Sequence, residues 1–176
     1  MLDAIPVTLV EHDPGWAARA AALAAELQVV GDILLTVHHI GSTSVPGMIA
    51  KPIIDLLPVI SDLAVLDTRL DRVSALGYVY HGEYGIPGRR FFAKHVGNTR
   101  TVHIHFFEQS SDQIAHNLAF RDYMRAHPDI AAAYGAEKRR AQSLFPNDSH
   151  GYTKEKAEFI VRTSRDAHAW YAAQPR

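Results

Sequence analysis

The sequence predicts an α+β fold (α/β by a looser definition): a mixed β-sheet with helices on one side, followed by a helical C-terminal region. Three observations carry this. Short apolar runs between residues 37 and 108 are bounded by Gly- and Pro-rich turns, the mark of strands. Apolar residues at helical spacing interrupt those runs at residues 62–76. From Ser111 onward, helix start and stop signals follow one another and no strand pattern returns.

Residues 3–10 alternate weakly and read as a short edge strand, since Pro6 demotes them from a central place. Asp13-Pro14 opens a helix, with an acceptor at the cap and Pro at the first helical position. Trp16, Ala20, Leu23 and Leu27 then carry the 3.6-residue period to near Gln28. Val37 to Ile40 is a short strand, Gly41 to Pro52 a structured loop, and Ile53 to Ile60 a buried strand interrupted by Asp55 and Pro58. Asp62 to Leu76 has helical spacing and ends at Gly77. Three strands follow, Tyr78–His81, Arg89–His95 and Thr101–Glu108, joined by the turns Gly82–Gly88 and Gly97–Arg100. Ser111 caps a helix that stops before Pro128; a second runs from Pro128 to about Phe145, and a third from near Thr153 to about Ala172.

Composition bounds the function. At 176 residues and 47% hydrophobic, residues 1–176 make a single domain that buries a core unaided. The net charge of −1 supplies no global field for long nucleic acid or an anionic membrane. Zero cysteines exclude a disulfide scaffold, a thiolate metal site and a thiol nucleophile. No apolar run is long enough to span a membrane, and MLDAIPVTLVEHD lacks the basic start of a signal peptide, so a cytoplasmic location is expected.

The chemistry concentrates in residues 38–57, HHIGSTSVPGMIAKPIIDLL. A strand ends at Ile40, and Gly41 allows close backbone approach. Ser42, Thr43 and Ser44 then offer hydroxyls and successive N–H groups, the makings of a phosphate cradle. The alternative is a Gly/Pro turn with local hydroxyl bonds. Lys51 adds a positive charge in the same loop. Asp55 lies inside an apolar strand, where a carboxylate is costly unless it is hydrogen-bonded, paired or bound to metal. His103 and His105 alternate with Ile104 and Phe106 on another strand, so they share one face, toward either solvent or Asp55. Arg89 and Arg90 open a strand, and alternation aims one of them at a pocket; a guanidinium there suits phosphate. His39, just before the turn, is a further candidate, with His38 facing away. Arg121 and Arg125 share a helix face, and Arg121 either reaches phosphate across the cleft or makes a structural ion pair between helix and sheet; Asp122 is not the helical-face neighbour of Arg121. Lys156, near the start of the last helix, either reaches phosphate or is solvated.

The chain resembles the GrpB family, also named a dephospho-CoA kinase/protein folding accessory domain, and through it the nucleotidyltransferase superfamily. The resemblance rests on LVEHDPGW, HIGSTSVPGMIAKPIIDLLPVI, LGYVYHGEYGIPGRRFFAK, RTVHIHFFEQ, LAFRDYMRAHPD and YTKEKAEFI, in order over about residues 7–160. It implies a nucleotidyltransferase-like fold and transfer of a nucleoside monophosphate from an NTP, with divalent metal, to a small acceptor. It also implies that Gly41, Ser42, Thr43, Ser44, Lys51, Arg89, Arg121 and Lys156 hold phosphate while Asp55 is catalytic and binds metal. Superfamily members usually place two carboxylates at i and i+2 of one strand; here the i+2 residue is Leu57, and His103 and His105 stand where a third acid is expected. An Asp/His/His set suits Mn or Zn better than Mg. Two other readings are a non-catalytic module binding a nucleotide or CoA-like ligand, and a His/Asp metal-dependent hydrolase.

Overall fold

Five strands form one sheet in the order β1-β2-β5-β4-β3: β1 (Leu34–Ile40), β2 (Ile54–Ile60), β3 (Val79–Tyr80), β4 (Arg90–Val96) and β5 (Thr99–Glu108). The structure is a computed structural model that describes residues 6–175. Only β2 and β5 run parallel; the other pairs are antiparallel, so the sheet is mixed as expected. Residues 6–10 of the expected edge strand at residues 3–10 form no strand. Its first residues lie outside the described ones, and Val10 makes only an isolated bridge to Ala50, while Val7 N–H donates to the Pro146 carbonyl.

One sheet face is dry. Ile54, Leu56 and Ile60 of β2 and Val102, Ile104 and Phe106 of β5 pack against Trp16 and Ala20 of α1 (Gly15–Glu26), Leu66 of α2 (Leu63–Asp67) and Val73 of α3 (Leu70–Ser74). Alternation turns Asp55, Leu57 and Val59, with His103, His105 and Phe107, to the other face. The helical region lies there: α4 (Asp112–Ala126), α5 (Pro128–Leu144), α6 (Ser149–Glu155) and α7 (Ala157–Ala172). Ile114 and Leu118 of α4 close over Ile40, Leu57, Val59 and Phe107, which leaves the Asp55 end of the face uncovered by that cluster.

Element boundaries differ from expectation where local signals compete. The Asp13 carboxylate accepts from Gly15 N–H at 2.8 Å and starts α1 as expected, and from Leu27 the helix tightens into 3₁₀ turns that break at Gly31 (φ +80°), a little beyond the expected stop near Gln28. Residues 62–76 form two short helices because the chain turns between Asp67 and Leu70. The last expected helix is likewise two. Asp148 accepts from His150 and Gly151 N–H and starts α6 before Thr153, and a break at Lys156 separates it from α7.

Candidate functional site

The turn after β1 is tight. Gly41 has φ +70°, and a Cβ there would sit 2.7 Å from Asp55 Oδ2, so only glycine lets β1 end against that carboxylate. Ser42–Ser44 then wind into one 3₁₀ turn. Thr43 and Ser44 are buried, and their hydroxyls serve the turn itself: Thr43 Oγ1 donates to the Ile53 carbonyl at 3.3 Å, and Ser44 donates to the Gly41 carbonyl. His39 Nε2 lies 2.9 Å from Thr43 Oγ1 and braces the same turn. The register sets Ile40 opposite Asp55 and His38 opposite Leu57, so His38 lies on the Asp55 face of the sheet while His39 meets the turn from the other.

Two arginines of α4 clamp this turn by its carbonyls. Arg125 Nε and Nη2 both donate to the Ser44 carbonyl, at 2.9 and 2.7 Å. Arg121 Nη1 donates to the His39 carbonyl at 3.2 Å and its Nε to Asp122 at 2.7 Å. Asp122 is not the helical-face neighbour of Arg121, yet the long arginine folds back to reach it. Arg121 is placed as a helix-to-strand tie.

The cation that meets Ser42 is one that sequence reasoning missed. Lys138 of α5 is 1% exposed, and its ammonium donates to Ser42 Oγ at 2.6 Å and to the Ile49 carbonyl at 2.8 Å, with the Tyr134 ring 4.4 Å away. Burial lowers its pKa to about 6, and the Lys156 ammonium adds to that. Lys156 is lowered to about 8, first by burial and then by Lys51. Lys51 and Lys156 each lie 4.6 Å from the centre of the Tyr152 ring, and Lys51 donates to Ser149 Oγ at 2.9 Å. Among the described residues, none of these three lysines has a carboxylate at salt-bridge distance. The signal was present: Ala131, Tyr134, Lys138 and Ala141 follow helical spacing, which sets a lysine on the buried stripe of a helix.

On the open face, Asp55 Oδ1 lies 3.1 Å from His103 Nδ1 and 3.1 Å from His105 Nε2. Burial opposes ionisation of Asp55, but the two imidazole contacts outweigh it and hold the carboxyl well below the usual carboxylate range. One ligand-type atom from each residue falls within 4.8 Å of the others, close enough to share a divalent cation. Leu57, at the i+2 position, is fully buried beneath α4 and offers nothing to a ligand. Arg89 is the inward member of its pair: its Nη1 lies 3.3 Å from His105 Nδ1, while Arg90 is held outside by both oxygens of Asp67.

The family model described as "GrpB protein" matches residues 6–166. UPF0157 protein YqkA of Bacillus subtilis (strain 168) is 38% identical over 165 residues, 93% of this chain and 48% of its own. The crystal structure of the conserved protein GrpB from Enterococcus faecalis superposes with a TM-score of 0.89 at 34% identity, covering 94% of this chain and 99% of that one. A dephospho-CoA kinase of Mycolicibacterium paratuberculosis is 29% identical over 192 residues, 94% of this chain and 47% of its own. The chain thus spans about half the length of these two curated relatives.

Proposed function

We propose that this chain, which belongs to the GrpB family, binds the phosphates of a nucleoside triphosphate at the Ser42 turn and transfers the nucleoside monophosphate to a small acceptor. The observation that carries the reading is the buried Lys138 ammonium on Ser42, with Lys156 and Lys51 nearby and, among the described residues, no carboxylate at salt-bridge distance from any of them. A buried, unpaired cation is costly, and an anionic ligand relieves that cost. Ser42, Lys138, Lys156 and Lys51 would hold the phosphates, and the clamped backbone of the turn would keep Ser42 in place. Asp55, with His103 beside it, would hold a divalent cation, which when bound neutralises phosphate charge. In the transfer, the acceptor oxygen bonds to the α-phosphorus and the bond to the β-phosphate oxygen breaks. Pyrophosphate leaves, and the acceptor proton goes to solvent. The lysines would stabilise the charge that grows on that leaving group.

A second reading, a non-catalytic module for a nucleotide or a CoA-like ligand, is favoured by Leu57: its sealed side chain removes the second strand carboxylate that two-metal transfer uses. One experiment separates them. Thermal shift with ATP, GTP, CTP, UTP and dephospho-CoA, each with Mg, Mn or Zn, is run on wild type and Asp55→Ala. A metal-dependent NTP shift lost in Asp55→Ala supports transfer. A metal-independent shift by dephospho-CoA or NTP, kept in Asp55→Ala, supports the binding module. No shift with any of them contradicts both.

A further inference from the structure

We infer that Arg89 fixes His105 as the tautomer protonated on Nε2, so that His105 is a hydrogen-bond donor to Asp55 and not a ligand for a cation at this site. A guanidinium carries only donors and stays protonated, so the nitrogen it faces must accept. That nitrogen is His105 Nδ1, 3.3 Å from Arg89 Nη1. A neutral imidazole that accepts on Nδ1 carries its proton on Nε2, and that N–H then donates to Asp55 Oδ1 at 3.1 Å.

Arg89 does not swing freely in this arrangement. It is 7% exposed, its Nε donates to the Glu83 carbonyl at 3.0 Å, and its Nη2 donates to the Tyr84 carbonyl. Tyr84 presents that carbonyl from φ +46°, a conformation disfavoured for a bulky residue, and its ring stacks on Phe91 with centroids 4.9 Å apart. The turn before β4 is thus organised around the guanidinium.

Histidines that bind metals show the reverse pattern. Their second nitrogen donates to a carboxylate or carbonyl, which frees the first as a lone pair aimed at the ion. Here the second nitrogen of His105 meets a cation, which opposes both the tautomer and the charge that ligation requires. Both histidine contacts fall on Asp55 Oδ1, which leaves Oδ2, beside Gly41, as the oxygen they do not engage. His105 is therefore a positioning residue that orients Asp55. The inference rests on hydrogen-bond geometry alone, so it stands or falls separately from nucleotide binding.

The test is the tautomer itself. Protein labelled with ¹⁵N-histidine is read by long-range ¹H–¹⁵N correlation, with the His105 signals assigned by their loss in His105→Gln. Wild type is expected to show His105 protonated on Nε2 with Nδ1 bare, and to keep that pattern when Zn or Mn is added in excess. Protonation on Nδ1, or loss of the Nε2 proton on adding metal, overturns the inference. Arg89→Met is expected to convert His105 to a mixture of tautomers, and Arg89→Lys, again a donor-only cation, to restore the wild-type pattern. An Arg89→Met protein with an unchanged His105 pattern also overturns it. If Arg89→Met does not fold, the wild-type spectrum decides alone.

Discussion

Lys138 and Ser42 are 96 residues apart in the chain and 2.6 Å apart in the fold. The contact joins the turn after β1 to the middle of α5. Gly135, one helical turn before Lys138, lets the two approach: a Cβ there would lie 3.3 Å from Ile49 Cγ2. The helix thereby delivers a buried lysine to the turn that carries Ser42.

Buried lysines give pH two opposite effects. Lys138 is lowered to about 6 and Lys156 to about 8, both mainly by burial. Between those values and the ordinary lysine pKa, the unfolded chain binds more protons than the folded one, so this contribution to stability rises with pH. A phosphate ligand needs the amines protonated, so its affinity falls over the same window. The ligand-free melting temperature is expected to climb relative to Lys138→Met from pH 6 to pH 9, while nucleotide affinity declines. Parallel pH trends for the two quantities contradict the assignment.

Gly41→Ala tests the close approach of β1 to Asp55. The substitution places a Cβ 2.7 Å from Asp55 Oδ2 at φ +70°. The expected loss is about 1–3 kcal/mol of unfolding free energy, read by urea denaturation. An unchanged midpoint means that the turn is looser than described.

Leu57→Asp is the substitution that would put paired carboxylates at i and i+2 of β2. The fold predicts that it fails. Leu57 is fully buried among Ile40, Val59 and Phe107 under α4, so the new carboxylate has no solvent and no cation. A loss of more than about 4 kcal/mol is expected, a fall in melting temperature on the order of 10 °C for a chain this size. A stable Leu57→Asp protein that gains tight Mg binding would show that α4 moves aside.

Most of the sheet was legible in the sequence because period-2 alternation and Gly/Pro punctuation report burial directly. The pairing of Asp55 with His103 and His105 followed from alternation plus one assumption, that β2 and β5 are neighbours, which the parallel register bears out. The lysines divided by context. Lys51 and Lys156 sit in segments that resemble family blocks. Lys138 sits in the charged run Glu137–Arg140, and its place on the buried stripe shows only when that run is wound on a helix against residues 41–52. The arginines were ambiguous for a related reason. Whether Arg89, Arg121 and Arg125 face ligand or backbone depends on carbonyls brought near by tertiary folding, and all three donate to carbonyls here.

The central claim, that Lys138 and the Ser42 turn form the phosphate site, is tested most directly by calorimetric titration of a non-hydrolysable NTP into wild type and Lys138→Met at pH 7 with Mn. Methionine fills similar space without a charge, so stability is expected to change by less than about 2 kcal/mol. Affinity is expected to fall ten- to a hundredfold, as loss of a charged hydrogen bond worth about 1.5–3 kcal/mol dictates. A folded Lys138→Met protein that binds the nucleotide as tightly as wild type would contradict the account.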